Sequence, residues 1–305
     1  MVDFKTYEQQ IDILRNRNLI IGDKQSAIDF LNLNNYYNVI NAYKDIFIQQ
    51  GYTPEKFIDG TTFDDFVQLY NFDKLIRLAL SDFLIIIERV FKSIIAYEFS
   101  KAHGNSNIDY TNINNFDTIS EPTESSKLVT YIDNQINHDY SVGNKMICHY
   151  IDTHGLVPLW VNVNLMTFGN MSKFYMCMKE SDKRSVAKNL SNVLKKNIQF
   201  NDISNSIKIL VLLRNKTAHD QRIYDFSSDK LIVSHNNKLL KQHRIPPRND
   251  LFGALCCMND FLLQDDFNNL QQLLSNFIKE IKNNVDQSIM NRILNKMGIP
   301  QSFLI

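Results

Sequence analysis

Asn201–Phe226, NDISNSIKILVLLRNKTAHDQRIYDF, starts as an apolar helix and ends in a cluster of polar groups. Asn201 or Asp202 is suited to capping its start. Ile203, Ile207, Leu210 and Val211 recur at three- and four-residue spacing and give one buried face. From Arg214 the character changes: Arg214, Asn215, His219, Asp220 and Arg222 crowd the end of that face. Asn215 and His219 are four apart and His219 and Arg222 three apart, so each pair shares a helix face. Arg214 and His219 are five apart, which on an ideal helix is about 140° of rotation and about 7.5 Å of rise. They act together only if the helix end distorts or a second copy of the segment completes the site.

Arg and His without a metal-binding carboxylate set suit one reaction. Histidine moves protons near neutral pH, because its reference pKa is about 6.5. The planar fork of arginine clamps phosphate oxygens. RNA carries its own nucleophile, the 2′-OH. A protein has only to deprotonate it, stabilise the crowded phosphate and protonate the leaving oxygen. On composition alone, one His and two Arg at a helix end more often mean capping and surface charge.

The six residues Arg214-Asn215-Lys216-Thr217-Ala218-His219 resemble the Arg-x-x-x-x-His signature of HEPN-domain ribonucleases. Leu213 to Arg222 is similar to the Leu-Arg-Asn-x-x-Ala-His-x-x-Arg run of the Abi family of abortive-infection proteins, the AbiD/AbiF-like group. That family often has a second His where this chain has Asp220. Further resemblances follow in the family's order: Asn35-Tyr36-Tyr37 with Tyr43 and Phe47, Gly60 to Phe63, Leu69 to Asp73, Ile76-Arg77, Ile87-Glu88 and Ala96-Tyr97. Pro158-Leu159-Trp160, Thr167-Phe168-Gly169 and Ser172-Lys173 complete the set, over roughly residues 5 to 226.

The resemblance implies an all-α protein: a HEPN-like helical bundle with N-terminal and C-terminal helical additions, its long helix packed against the one carrying the signature. It implies a metal-independent, cofactor-free endoribonuclease acting as a phage-defence toxin, dimeric, with the two signatures facing each other. His219 would transfer the proton, Arg214 clamp the phosphate, and Asn215 orient His219 or contact phosphate. Arg222 would be a further phosphate contact, with Arg77 and Glu88 behind. A small structured RNA or a protein antitoxin would restrain the toxin. Two rivals remain: a non-catalytic RNA- or protein-binding module, and a toxin controlled by covalent modification, with Tyr224 as the hydroxyl to suspect.

The 305 residues carry 33 basic and 33 acidic side chains, so RNA binding needs local basic patches. Two stretches qualify: Lys173–Lys196, with Lys183, Arg184 and Lys188, and Ser234–Arg248, with Lys238, Lys241 and Arg244. Both flank the His219 segment in sequence, which suggests a phosphate track leading to it. Only 9 Gly and 6 Pro argue against an all-β chain. The four cysteines form no C-x-x-C pair, and no Asp/Glu/His/Cys cluster has metal-ligand spacing. The runs Phe83–Ile87 and Ile209–Leu213 are too short to span a bilayer, and MVDFKTYEQQ is no signal peptide. A soluble cytoplasmic protein is expected.

Periodicity predicts helices over Phe4–Arg17, Gln25–Leu33 and Tyr36–Ile48, then one very long helix from Thr61 or Thr62 to about His103, with Asn71 or Ser81 as weak points. Asp73, Lys74, Arg77, Glu88 and Arg89 interrupt its apolar rhythm and either project outward or face the cleft of His219. Residues 105–126 read as a loop. Helices follow over Lys127–Asn137, Lys145–Thr153 and Leu159–Lys179, the last with Trp160 in the core. Asn236-Asn237 suits a hairpin turn. Asp250–Leu263, Phe267–Asn283 and Gln287–Met297 read as closing helices. The expected organisation is a helical region over 1–58, a core over 59–226 with an insertion near 105–158, and a basic hairpin or loop with terminal helices over 227–305.

Overall fold

The computed structural model describes residues 3–304. Helix makes up 69% of it and strand 3%, so the fold is all-α as expected. Helix α1 (Tyr7–Asn16) opens on a reciprocal cap: the Thr6 side chain accepts from the Gln9 N–H while the Gln9 side chain accepts from the Thr6 N–H. Asp23 caps α2 (Lys24–Asn34).

The continuous helix expected over Tyr36–Ile48 does not form. Tyr37–Asn41 makes a wide π turn, followed by the short α3 (Lys44–Phe47) and the strand Ile48–Gln49, which pairs antiparallel with Lys56–Phe57. This arrangement buries Val39, Ile40, Tyr43 and Phe47 together and leaves Tyr37 exposed.

Helix α4 (Phe63–His103) runs unbroken for 41 residues, about 60 Å, through both Asn71 and Ser81. Thr62 and Asp65 cap it reciprocally. Its apolar residues are buried along the whole length, and α10 (Glu180–Leu194), α11 (Phe200–Ala218) and α14 (Gln264–Lys282) pack on it.

Residues 105–126 are more ordered than a loop. They hold α5 (Asn107–Tyr110), a 3-10 turn and the start of α6 (Pro122–Ser141), where Pro122 occupies a first-turn position that needs no N–H donor. Helix α7 is Lys145–His154. The expected helix Leu159–Lys179 is two helices, α8 (Leu159–Asn162) and α9 (Phe168–Cys177). The break lies at Thr167, whose side chain accepts from the Asn170 N–H and starts a new helix. One result is that Trp160 is half exposed and not in the core.

Beyond α11 lie α12 (Lys238–His243), α13 (Leu251–Phe261) and α15 (Gln287–Met297), the last ended by Gly298 in the left-handed region. The expected basic hairpin is absent. Asn237 caps α12 instead, its Oδ1 accepting from the Leu239 and Leu240 N–H groups. Helix α11 starts at Phe200, ahead of the expected Asn201 or Asp202 cap, and is wedged among α4, α9, α10 and α13.

Candidate active site at the end of α11

Helix α11 ends at Ala218, and His219 is its C-terminal cap, its N–H donating to the Asn215 carbonyl at 3.1 Å. Asp220 follows with φ +53, and the Gln221 N–H closes back to the Lys216 carbonyl at 3.0 Å. Asp is one of the few non-glycine residues that enter the left-handed region as single residues, and an outside contact steadies the turn. Arg77 supplies that: one guanidinium nitrogen meets the Asp220 carboxylate at 2.5 Å and the other the Gln221 carbonyl at 3.5 Å.

Behind Arg77 sits Asp73, fully buried. It accepts from the Ile223 N–H (3.0 Å), the Tyr224 N–H (2.6 Å), the Tyr43 hydroxyl (2.9 Å) and Arg77 (3.0 Å). Burial pushes its carboxyl up, and those same donors offset the rise only in part. Asp73 and Arg77 therefore face inward. The signal was present: two opposite charges four apart sit on the apolar side of the α4 rhythm.

The turn separates residues that helical spacing had grouped. Arg222 does not share a helix face with His219, because Asp220 ends the helix between them. Its guanidinium is engaged by Asp225 at 2.5 Å and Asp45 at 3.7 Å. Tyr224 is fully buried, stacked on Tyr43, and its hydroxyl donates to Asp45 at 3.0 Å. Burial raises that hydroxyl far above its ordinary pKa. A modifying partner would find no accessible hydroxyl there.

His219 and Arg214 open into different recesses of one chain. His219 is exposed on a cleft of about 630 Å³ that Tyr37, Tyr70, Arg77, Lys216 and Arg222 also line. Among the described residues no hydrogen bond or ion pair engages its ring. The cleft is electrically balanced, with Arg77, Lys216 and Arg222 against Asp220, Asp225 and Asp229. Arg214 borders a groove of about 450 Å³ between α4, α8 and α11, with Glu88, Arg89, Lys92, Trp160 and Asn164. There the Arg214 Nε lies 3.4 Å from Glu88, which also binds Lys92 at 2.8 Å. Glu88 thus touches Arg214 directly. Asn215 is exposed and meets His219 through its carbonyl.

The basic stretches gather at the other end of α11. On α10, Lys188 is exposed and Lys183 partly so, while Arg184 is held by Glu180 and lies 4.0 Å over the Phe200 ring. Asn189 beside them bonds Glu98, which is about 32 Å along α4 from Arg77. Lys238 and Lys241 converge with Lys195 and Lys196 on a cleft of about 790 Å³ beside Asp260. An adjoining recess reaches Asp202, about 26 Å from His219 along α11. Arg244 is exposed at the end of α12. Among the described residues, the Lys238–Lys241 cleft and the His219 cleft are separate recesses toward opposite ends of α11, so the expected track to His219 is not seen.

Among the described residues no group of three or more His, Cys, Asp or Glu side chains is arranged to hold a metal ion, and no helix is long and apolar enough to cross a membrane. The family model described as Abi-like protein matches residues 29–225. That span includes α4 with Asp73 and Arg77, the Trp160 turn and the whole Arg214–Arg222 segment. No curated protein and no solved structure matches the chain.

Proposed function

The chain belongs to the Abi-like protein family, and from that membership in an abortive-infection family we propose that it is a metal-independent endoribonuclease of HEPN type, acting in the cytoplasm as a phage-defence toxin. The observation that carries the reading is the setting of His219. Its ring is exposed and unengaged, yet its backbone is fixed by a turn that two buried charges hold from behind. A proton-transfer group needs that combination of a free ring and a fixed position.

In this reading the His219 imidazole takes the 2′-OH proton of a bound RNA. The 2′ oxygen then bonds to phosphorus and the bond from phosphorus to the 5′ oxygen breaks. The leaving oxygen takes a proton from solvent and the imidazolium returns its own to solvent, so the products carry a 2′,3′-cyclic phosphate and a 5′-OH. Arg214 neutralises the phosphate, freed from its long 3.4 Å contact with Glu88. A second copy of the chain brings an Arg214 to each His219. An apolar stripe supports that assembly. Leu78 and Ile85 are 60% and 55% exposed at seven-residue spacing on α4, and Ile85 borders the Arg214 groove. The lysine clusters remote from His219 hold a restraining antitoxin RNA.

One observation favours a second reading. Since Arg214 and His219 open apart within one chain, a monomer would be a non-catalytic binding module. His219→Ala separates the two. In a folded protein it abolishes RNA cleavage and growth inhibition if His219 moves the proton, and changes neither if the signature is structural. Cleavage by the unaltered chain persists in EDTA.

A further inference from the structure

We propose that Trp160 is a stacking platform for a base of single-stranded RNA whose neighbouring phosphate is held by Arg214. This rests on the nuclease reading and adds a binding residue to it. Trp160 is the chain's one tryptophan and is 50% exposed. It does not hang loose. Pro158 precedes α8, Leu159 and Val161 on either side are buried, and the Asn164 amide donates to the carbonyls of both Trp160 and Val161 at 3.1 Å. The indole is therefore presented outward by a turn that is anchored from beneath.

What it is presented to decides the ligand. The groove carries Arg89, Lys92 and Arg214 against Glu88 alone, a net charge of +2 by that count. The His219 cleft, counted the same way, carries none. Glu88 is shared between Lys92 and Arg214, and Arg89 has no ion-pair partner among the described residues. A flat apolar ring in an anion-attracting groove matches a strand that alternates π faces with phosphates. Two roles are thus divided between two recesses: the balanced cleft offers the proton-transfer group, and the charged groove grips the strand.

A uniquely placed indole makes the test direct, because fluorescence excited at the red edge, where indole absorbs and the 13 tyrosines do not, reports on this groove alone. The His219→Ala protein, which leaves RNA uncut, is titrated with short unstructured oligouridylate and oligoadenylate. Saturable quenching is expected with both, at concentrations matching those from the anisotropy of labelled RNA. Trp160→Ala in the same background should weaken binding about 5- to 150-fold, the usual loss per stacked base. Trp160→Phe should recover most of it, and neither should lower the melting temperature appreciably. With His219 intact, Trp160→Ala should raise KM more than it lowers kcat.

RNA binding with unchanged fluorescence, or unweakened binding by Trp160→Ala, overturns the proposal. So does an emission shift that tracks protein concentration and that added RNA does not extend, since it assigns the indole to contact between two copies and not to a base. Failure of the nuclease reading looks different. In that case no RNA is cut, while quenching and the Trp160→Ala loss persist.

Discussion

Asp73 and Tyr224, 151 residues apart in sequence, meet at 2.6 Å through the Tyr224 backbone N–H and one carboxylate oxygen of Asp73. The same carboxylate takes the Ile223 N–H, the Tyr43 hydroxyl and Arg77. It decides where the chain goes after His219. Without it, the Ile223 and Tyr224 N–H groups are left without an acceptor among buried side chains, and Arg77 loses the buried partner that aims it at the left-handed Asp220. The site's geometry is thus set by a residue on α4 that does not itself reach the cleft.

Replacing Asp73 by Ala should therefore be costly. Two backbone N–H groups, a hydroxyl and a guanidinium would be left buried without an acceptor, and removing one partner of a buried pair typically costs about 3–5 kcal/mol. Asp73→Asn should fall between, since the amide keeps one acceptor oxygen but turns a donor toward donors. Urea unfolding midpoints measure this. A midpoint unchanged by Asp73→Ala would show that the carboxylate does not hold the turn.

Much of the fold was legible because apolar spacing is dictated by burial. The long α4, the closing helices and the α11 stripe all follow from it. Three of the misses share a cause: a local polar group won over the periodic pattern. Thr167 captured the Asn170 N–H and split one expected helix into α8 and α9, which put Trp160 on the surface. Asn237 capped α12 where a hairpin turn was expected. Asp220 entered the left-handed region and cut Arg222 off from the His219 face. Spacing decides none of these competitions: Thr167 and Asn237 win through N–H groups two or three residues on, and Asp220 through a partner far away in sequence. That partner is Arg77, 143 residues before Asp220.

Asp260 gives a pH dependence of stability with a definite sign. Burial pushes its carboxyl up to about 7 from an ordinary value of 3.8, against the pull of Lys196 and of Asn237, which donates to it at 2.7 Å. The folded state therefore holds this proton more tightly than the unfolded chain. Its contribution to stability is largest at low pH, falls as pH rises from about 4 to about 7, and is flat above. Asp260→Asn should remove that fall. The unfolding free energy at pH 5 and pH 8 is to be compared for both proteins, and an identical difference in the two would contradict the assignment.

If the remote lysines hold RNA, affinity should fall steeply with salt. For single strands the log–log slope is about −0.7 per phosphate neutralised, so Lys188→Ala, Lys238→Ala and Lys241→Ala together should flatten it by roughly two units. The change should be alike across unrelated sequences, because phosphate contacts do not read bases. Arg184→Ala should contribute less, since Glu180 and the Phe200 ring already engage that guanidinium. An unchanged slope would make these lysines an ordinary solvated face.

The separation of Arg214 from His219 leads to a test of assembly. In one chain the two line different recesses, and under the proposed reading a working pair takes Arg214 from one copy and His219 from another. Arg214→Ala and His219→Ala proteins should each be inactive alone. In a mixed dimer, one composite site has lost both groups, while the other combines the intact Arg214 of one chain with the intact His219 of its partner. Under random two-fold exchange half the dimers are mixed and each has one working site, so roughly a quarter of the parental cleavage rate should return. The recovery should grow as exchange proceeds and vanish on dilution below the dimer's dissociation constant. Leu78→Glu with Ile85→Glu should also block it, by placing charge in the apolar stripe. No recovery after demonstrated exchange would refute the shared site, as would a protein that cleaves RNA while light scattering reports a monomer.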